Sequence, residues 1–426
     1  MMEIFGIVLF ALGIFLSVCL HEAGHMGTAK MFGMKVTRFF AGFGPTLWSF
    51  KRGETEYGVK AIPAGGFVKI VGMTPQDDDV AAEDEPRAMW RYPVWKRTVV
   101  MSAGSATHFA LGVLILWGLF SFVPLNDESK LQSEPVTISQ VAPCVEEKFS
   151  VDPATGRQVA CEPGDDPASA ASKLGLQPGD VITGLNGQEV RGWDTLTAKI
   201  RAAGGQQISV TFERDGTSQT QSVTLPVSER VKQQVIQDDP DRPASQITAA
   251  DLEKVGMLGI TPVIPRSTAG PIDGIGKAAD QTVFMIEGTF TALKKFPEKV
   301  PALFAALSGD ERDPETPISV VGASRIGGEL FDRGEWPSFI LLLAALNFFV
   351  GIFNLLPLLP LDGGHIAIAW FERARSWLYA KLGRTDPGRV DYFKLMPVTY
   401  VVILIFGGFT LLTVAADILN PIELPF

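Results

Sequence analysis

Four long apolar stretches dominate the sequence, at residues 4 to about 25, 98–122, 337 to about 360, and 397–419. Each is long enough to approach or exceed the roughly 20 helical residues that cross about 30 Å of hydrocarbon. A cleaved secretory signal would have a basic start and a small-residue cleavage site, and the first stretch has neither. The pattern therefore predicts an integral membrane protein with four transmembrane helices, the first of which stays in the mature chain.

The segment between the second and third stretches follows a different pattern. Between residues 133 and 265, short β-rich runs alternate with Gly, Pro, Asn and Asp, which indicates a small soluble domain. Gly179-Asp180 precedes a predicted strand, and Asn186-Gly187 is typical of a tight hairpin turn. With a helical stretch at 193–202, this order resembles bacterial PDZ domains, which bind peptides at a sheet edge that residues 255–260 would supply. A β module that only packs on the membrane domain is the alternative.

The loop after the first apolar stretch is predicted to contain a β-hairpin. Residues 36–50 and 57–71 hold alternating or β-branched apolar residues punctuated by glycine. The run P63-A-G-G-F67 is too apolar for an ordinary cytosolic loop, and irregular backbone at membrane depth is tolerated only where it is buried or lines a cavity. We therefore predict a re-entrant β-loop, followed by a solvated acidic linker at residues 76–86.

Basic residues indicate the orientation of the chain. Lys and Arg are concentrated in the loop after the first stretch and in the loop between the third and fourth, whereas residues 1–3 and 420–426 contain none. Both loops are thus predicted to be cytoplasmic, and both termini and residues 124–336 extracytoplasmic. Cys144 and Cys161 then lie where a disulfide is permitted, two reduced cysteines being the alternative, while Cys19 lies within the first span.

Composition agrees with a membrane protein. The chain has 426 residues, 46% of them hydrophobic and 20% charged, and its mean hydropathy is positive. The net charge of −10 is a weak guide to partners, because a translocated domain contributes to it without setting topology. It gives no support to nucleic-acid binding.

Two of the four histidines, His21 and His25, lie one helical turn apart at the end of the first stretch. Their imidazoles share a helix face and can converge on one metal ion, while Glu22, rotated by about 100°, reaches the edge of that site. The pattern H-E-x-x-H is typical of zinc proteases, in which the glutamate takes a proton from water. Polar residues paired at a helix end are the alternative, but ionisable groups are costly in lipid and usually mark function.

A catalytic zinc site generally needs a third protein ligand. The run N354-L-L-P-L-L-P-L-D-G-G-H365 at the end of the third stretch offers Asp362 or His365. The first and third spans both run from outside to inside, so these residues and the H-E-x-x-H motif are predicted to end near the same cytoplasmic leaflet. Spacing and ligand chemistry do not separate Asp362 from His365.

Four features together resemble the site-2 protease family of intramembrane zinc metalloproteases, peptidase family M50. They are H21-E-A-G-H25, Asp362-Gly363 at the end of a later span, the PDZ-like insert and P63-A-G-G-F67. The resemblance covers nearly the whole chain and points to the four-span bacterial branch with a single external PDZ domain, particularly its actinobacterial members.

The resemblance implies a role for each matching residue. One Zn²⁺ would be held by His21, His25 and Asp362, and Glu22 would activate water. Asn354 would contact the substrate backbone or the polarised carbonyl, with a helix-packing amide as the alternative. Gly65-Gly66 would form an edge that pairs with the unwound substrate.

The second span departs from the family pattern. Related proteins usually carry A-G-P-x-x-N there, and this chain reads A103-G-S-A-T-H108, so that His108 replaces the usual asparagine. His108 would take part in substrate binding by donating a hydrogen bond in the same role, or would approach the metal in a resting state. A helix-interior histidine bonded to a neighbour is the alternative.

The implied activity is that of a zinc-dependent endopeptidase that cuts transmembrane segments of single-span proteins in regulated intramembrane proteolysis. Anti-sigma factors cut beforehand by another protease are the expected substrates, with peptide ends bound by the PDZ-like domain. A non-catalytic membrane PDZ scaffold with a structural metal is the alternative. A zinc transporter would need polar residues continuing across the last spans, and residues 401–412 offer almost none.

The predicted fold class is an α-helical polytopic membrane protein with a membrane-associated β-hairpin loop and an inserted extracytoplasmic PDZ-like α+β domain. The predicted segments are helix 1 (1–26), a cytoplasmic loop (27–97), helix 2 (98–122), the PDZ-like domain (123–265), an extracytoplasmic connector with helices (266–336), helix 3 (337–363), a cytoplasmic loop (364–396), helix 4 (397–419) and an extracytoplasmic tail (420–426).

Overall fold

The computed structural model describes residues 2–73, 80–152, 158–239, 242–310 and 312–422, so the predicted linker and tail lie partly outside the described residues. Its helices are α1 (Met2–Met31), α2 (Val94–Phe122), α3 (Glu128–Ser133), α4 (Ala170–Lys173), α5 (Trp193–Ala202), α6 (Gln233–Asp238), α7 (Gly270–Leu307), α8 (Val320–Asp332), α9 (Trp336–Asn354), α10 (Asp362–Lys381) and α11 (Met396–Leu419). Its strands are β1 (Val36–Arg52), β2 (Thr55–Ile70), β3 (Leu125–Asn126), β4 (Val136–Val141), β5 (Val181–Leu185), β6 (Gln188–Glu189), β7 (Gln207–Arg214), β8 (Thr217–Thr224), β9 (Val227–Val231), β10 (Leu252–Gly256), β11 (Ile260–Pro262) and β12 (Arg266–Ser267). They divide between a helical unit, Met1–Val123 with Thr268–Phe426, and an inserted unit, Pro124–Ser267.

Four helices of the described chain, α1, α2, α9 and α11, are long and apolar enough to cross a membrane, which agrees with the predicted number of spans. Two of them exceed the apolar stretches, since α1 continues to Met31 and α2 begins at Val94. Polar residues such as Thr28 and Lys30 are compatible with a helix. Helix α1 therefore continues past the apolar stretch. It ends at Met31, two residues before Gly33, whose φ of 83° is typical of the residues that follow a helix.

The third span differs from the prediction. Helix α9 ends at Asn354, and residues 355–361 separate it from α10, which begins at Asp362. Asp362 therefore does not terminate the third span, and it is not on the same helix as Asn354. Pro357 and Pro360 explain the break, because a proline lacks an N–H donor and disfavours a helical conformation in the residue before it.

The start of α10 folds back tightly against the chain that precedes it. A Cβ atom on Gly363 would lie 2.2 Å from the carbonyl oxygen of Leu355 and 2.3 Å from that of Leu356. No side chain fits at such distances, so glycine allows the first turn of α10 to pack beside the end of α9.

The first loop forms a hairpin of β1 and β2 where the glycine-punctuated pattern predicts it. Residues 38–41 of β1 lie opposite both residues 56–59 and residues 66–69 of β2. Among the described strands this sheet contains only β1 and β2, so no other described strand pairs with the side of residues 66–68 that faces away from β1. Leu47 and Trp48 are 68% and 60% exposed, which leaves an apolar surface on this part of the hairpin.

The predicted connector between the inserted unit and the third span contains α7 and α8, and α8 packs closely on α1. A Cβ atom on Gly6 would lie 2.5 Å from Cβ of Phe331, and one on Gly327 would lie 2.6 Å from the ring of Phe10. Small residues of this kind allow helices in a membrane protein to approach each other closely.

The inserted unit is built on a sheet of strand order β11-β4-β5-β7-β8, with β6 also paired to β5. Its pairings are antiparallel. Helix α5 contributes Leu196 to a core that also contains Ile182 and Phe212, all fully buried. Asn186 and Gly187 have φ values of 52° and 76° between β5 and β6, as expected for an Asn-Gly turn.

The inserted unit contains the predicted disulfide, but it does not contain the predicted returning edge as one strand. Cys144 and Cys161 form the disulfide that their predicted compartment permits. Residues 255–260, predicted as one returning edge, are divided: β10 pairs with β9 in a separate sheet, and only Ile260 of this segment joins the larger sheet, in β11.

The carboxylate of Asp180 provides a stability test for the inserted unit. Its two oxygens accept hydrogen bonds of 2.7 Å from Nε and Nη2 of Arg214, which holds the pKa of Asp180 below its ordinary value of 3.8. A depressed carboxyl pKa stabilises the folded state above the ordinary pKa, and this stabilisation is lost as the pH falls through the lower folded value. Replacing Asp180 by Asn should therefore destabilise this unit by about 2 kcal/mol at pH 7 and weaken its acid sensitivity below about pH 4.

Thermal unfolding of the full chain in detergent at pH 7 and at pH 3 measures both effects. Glu189→Gln is the matched control, because Glu189 pairs with Arg191 on the surface and such pairs contribute little. Equal unfolding temperatures for Asp180→Asn and Glu189→Gln at pH 7 would contradict the prediction.

Candidate metal centre

The two histidines and the aspartate of the predicted site meet at the junction of α1 and α10. Nε2 of His21 lies 3.0 Å from Nε2 of His25, and each of these nitrogens lies 3.3 Å from Oδ2 of Asp362. One helical turn separates the histidines on α1, and the fold-back after α9 brings Asp362 to them. Both histidines are buried and Asp362 is largely so.

Helix α2 forms the wall behind these ligands. A Cβ atom on Gly104 would lie 2.5 Å from Nε2 of His21 and 2.5 Å from Nε2 of His25, so only glycine leaves room for both rings. Nδ1 of His25 lies 2.7 Å from the carbonyl oxygen of Val100. Because a carbonyl only accepts, Nδ1 carries the proton and Nε2 presents its lone pair to the site.

The donor set fits a zinc ion. Tetrahedral zinc with bonds of about 2.0–2.2 Å places its ligand atoms about 3.3–3.6 Å apart, close to the observed 3.0–3.3 Å. Oδ2 of Asp362 is buried and has no hydrogen-bond partner among the described residues. Two imidazole nitrogens and one carboxylate oxygen that converge in this way form a ligand set that zinc accepts.

The structure also separates the two candidates for the third ligand. Asp362 belongs to the group of donor atoms, whereas His365 does not join it in the described chain. The His365 ring instead stacks on Tyr392 at a centroid distance of 5.9 Å. Three residues along α10 turn a side chain by about 300°, so the first turn of the helix decides which of the two faces α1.

Glu22 lies next to the donor group and against the hairpin. A Cβ atom on Gly66 would be 3.5 Å from Cγ of Glu22, and one on Gly65 would be 3.8 Å from Cγ1 of Val18, also on α1. Gly65 has a φ of 119°. Gly65 and Gly66 thus let the backbone of β2 pass close to α1 beside the glutamate, and Gly66 begins the part of β2 whose outer side has no strand partner among the described residues.

The other two predicted site residues lie on α9 and α2. Asn354 is the last residue of α9 and is half-buried. His108 is 2% exposed, and its ring centroid is 5.1 Å from that of His21. His108 does not belong to the group of donor atoms found among the described residues, so in this structure it stands beside the candidate site and not in it.

Asn347 is a buried residue of this region that the sequence analysis missed. It lies on α9, is 2% exposed, and its Oδ1 is 2.9 Å from Nδ1 of His108. A signal was available, because Asn347 interrupts an otherwise apolar helix two turns before Asn354. Buried amides in membrane helices generally bond to a neighbouring helix or mark a functional region.

Comparison with known proteins finds metalloproteases among the relatives of this chain. The family model described as "Peptidase family M50" matches residues 9–383. The chain is 41% identical over 425 residues to zinc metalloprotease Rip1 of Mycolicibacterium smegmatis, which covers 98% of each chain. It is 40% identical over 436 residues to zinc metalloprotease Rip1 of Mycobacterium tuberculosis strain H37Rv, covering 100% of each, and 27% identical to a putative zinc metalloprotease of Brucella suis, covering 84% of this chain and 83% of the relative.

The family model spans most of the chain, and the mycobacterial relatives match it from end to end. The cofactor is accordingly zinc, and the four apolar helices are those of a multi-pass membrane enzyme. The chain belongs to peptidase family M50, and it is a site-2-protease-like intramembrane zinc metalloprotease of the actinobacterial branch.

Proposed function

We propose that this protease hydrolyses peptide bonds within transmembrane segments of single-span membrane proteins, at a zinc site formed by His21, His25 and Asp362. The observation that carries the proposal is the meeting of these three donor atoms, 3.0–3.3 Å apart, beside Glu22 and next to membrane-spanning helices. The arrangement supports regulated intramembrane proteolysis, with anti-sigma factors as the candidate substrates.

In this proposal the zinc ion and Glu22 divide the chemistry of peptide hydrolysis between them. Bound zinc would supply a Lewis acid that polarises the scissile carbonyl and lowers the pKa of water. Glu22, one position from His21 and outside the donor group, takes the proton of the attacking water and gives it to the leaving amine. The proton thus moves from water to the amine through one carboxylate: the C–O bond forms first as water adds to the carbonyl, and the C–N bond breaks when the amine nitrogen receives the proton.

The hairpin is proposed to hold the substrate in an extended conformation. A transmembrane helix hides its carbonyls in internal hydrogen bonds, so the substrate must unwind before it is cut. The outer side of β2 from Gly66 onward has no strand partner among the described residues and can pair with an unwound strand, and its position beside Glu22 favours this role. Exposed apolar residues such as Leu47 and Trp48 support the re-entrant placement of the hairpin in the membrane. Asn354 is proposed to contact the substrate backbone.

The inserted unit is proposed to be a PDZ-like domain that binds peptide ends left by an earlier cut. The support is its antiparallel sheet, the packing of α5 on that sheet and the Asn-Gly turn after β5. We further propose that it lies outside the cell with both termini, and that the zinc site lies toward the cytoplasm, because Lys and Arg are concentrated in the loops assigned to the inside.

Single cysteines test this orientation. In a Cys19→Ala background, Glu83→Cys and Gln221→Cys place exposed thiols before α2 and on β8, respectively. A membrane-impermeant thiol reagent applied to intact cells should label Gln221→Cys and leave Glu83→Cys unlabelled until the cells are opened. Labelling of Glu83→Cys in intact cells would reverse the orientation.

Reconstitution tests the function itself. Proteoliposomes with the full chain and zinc receive a single-span test protein that has an apolar helix of about 20 residues and a short external segment. Mass spectrometry should locate the cut within the apolar helix, and Asp362→Ala should reduce cleavage at least about 100-fold because one of three ligands is lost. Cleavage outside the apolar helix, or cleavage unaffected by Asp362→Ala, would overturn the proposal.

A further inference from the structure

The two histidines of the donor group are held differently. Histidines that ligate a metal almost always donate their other ring N–H to a nearby acceptor, which fixes the ring orientation. Nδ1 of His25 makes this bond to the carbonyl oxygen of Val100 at 2.7 Å. Nδ1 of His21 is buried and has no hydrogen-bond partner among the described residues. One ligand ring therefore lacks the support that the other has.

A second buried nitrogen with the same property lies beside it. The His108 ring on α2 is 5.1 Å from the His21 ring, measured between centroids. Nδ1 of His108 bonds to Asn347, whereas Nε2 of His108 is buried and has no partner in the described part of the chain. Rings whose centroids are 5.1 Å apart are close enough for a ring rotation or one bridging water to join two such nitrogens.

The hydrogen-bond directions make these two nitrogens complementary. Nδ2 of Asn347 donates to the carbonyl oxygen of Leu343 at 2.8 Å, so Oδ1 is the atom that faces His108. An amide oxygen only accepts, so Nδ1 of His108 carries the proton and Nε2 of the neutral ring is an acceptor. His21 presents Nε2 to the donor group, so its own proton is on Nδ1, which is a donor.

We propose that His108, oriented by Asn347, accepts the hydrogen bond of His21 Nδ1 and thereby positions His21 to bind zinc. The bond is direct or passes through one water molecule. His108 and Asn347 are positioning residues in this scheme, since they act on the metal through His21. The inference rests on the proposed zinc site, and it gives the A103-G-S-A-T-H108 run of this chain a role of its own.

Zinc affinity tests the inference without reference to proteolysis. The full chain is purified in detergent, and its zinc dissociation constant is measured by competition with a chromogenic chelator. His108→Phe removes the acceptor and should weaken zinc binding about 10- to 100-fold, the usual effect of losing an outer contact to a ligand. His108→Gln keeps an acceptor and a donor and should remain within about threefold of the unmodified chain.

Coupling between the two positions separates positioning from packing. Asn347→Leu should weaken zinc binding less than His108→Phe, and the double variant should bind no more weakly than His108→Phe alone, because Asn347 acts only through His108. Ser121→Ala is the matched control: it removes another buried, unpartnered hydrogen-bonding group from α2, far along the helix, and should leave the affinity unchanged.

Two results would overturn the inference. One is an affinity of His108→Phe within about twofold of the unmodified chain, and the other is an additive loss in the double variant. Failure of the zinc site itself is distinct, because the unmodified chain would then bind no zinc or would bind it equally well after His21→Ala. If His108→Phe does not fold, an affinity of Asn347→Leu within about twofold of the unmodified chain overturns the inference instead.

Discussion

Replacing Glu22 by Gln should reduce cleavage of a single-span test protein by about 10²- to 10⁴-fold, the usual contribution of a positioned general base. Glutamine has nearly the same shape but cannot take a proton from water. Glu22 is outside the group of donor atoms, so zinc should still bind. We therefore expect a stable protein with a normal zinc content and almost no turnover, as measured by single-turnover cleavage in proteoliposomes together with metal analysis.

The same variant distinguishes the protease from a scaffold with a structural metal. A scaffold would depend on His21, His25 and Asp362 for its metal and would be indifferent to Glu22. Full cleavage by Glu22→Gln would therefore remove Glu22 from the mechanism. In cells, the variant should also accumulate single-span fragments in the membrane, and comparing membrane proteomes with and without the change would identify substrates.

Replacing Gly104 by Ala should abolish high-affinity zinc binding, although the substitution adds only one methyl group. The added Cβ would lie 2.4 Å from Cε1 of His21 and 2.5 Å from Nε2 of both His21 and His25. The rings or helix α2 must move by an amount that a metal site does not tolerate, since ligand distances have to hold within about 0.2 Å. We expect zinc affinity to fall at least about 100-fold, measured by chelator competition, with cleavage lost in parallel.

Gly118→Ala is the control for this prediction. Gly118 is on the same helix, and a Cβ there would meet nothing within 4 Å. Alanine is the better helix former by about 1 kcal/mol, so Gly118→Ala should be neutral or slightly stabilising. If Gly104→Ala bound zinc as tightly as Gly118→Ala does, the close packing of α2 against the histidines would be wrong.

Local patterns in the sequence were sufficient for several features. The four spans follow from apolar length, the hairpin from glycines between β-branched runs, and the shared face of His21 and His25 from the helical period. Each of these features depends on neighbours only a few residues away. Helix ends were predicted less well, because hydropathy marks the apolar part of a helix, while α1 continues through polar residues until Gly33.

The break in the third span could also have been read from the sequence. Pro357 and Pro360 are incompatible with a continuous helix from Asn354 to Asp362, yet the apolar run conceals the break in a hydropathy profile. The break between α9 and α10 changes the geometry of the site, because Asp362 approaches the histidines from the first turn of a new helix.

The sequence by itself determined the class of protein, the number of spans and the residue types of a zinc site. The tertiary structure showed that Asp362, which the family resemblance implied but spacing did not separate from His365, meets His21 and His25. It alone showed that Gly104 leaves the space for their rings and that Asn347 contacts His108. The physical reason is that these contacts join helices far apart in the chain. Their distances depend on how α1, α2, α9 and α10 pack together, and no local period encodes that packing.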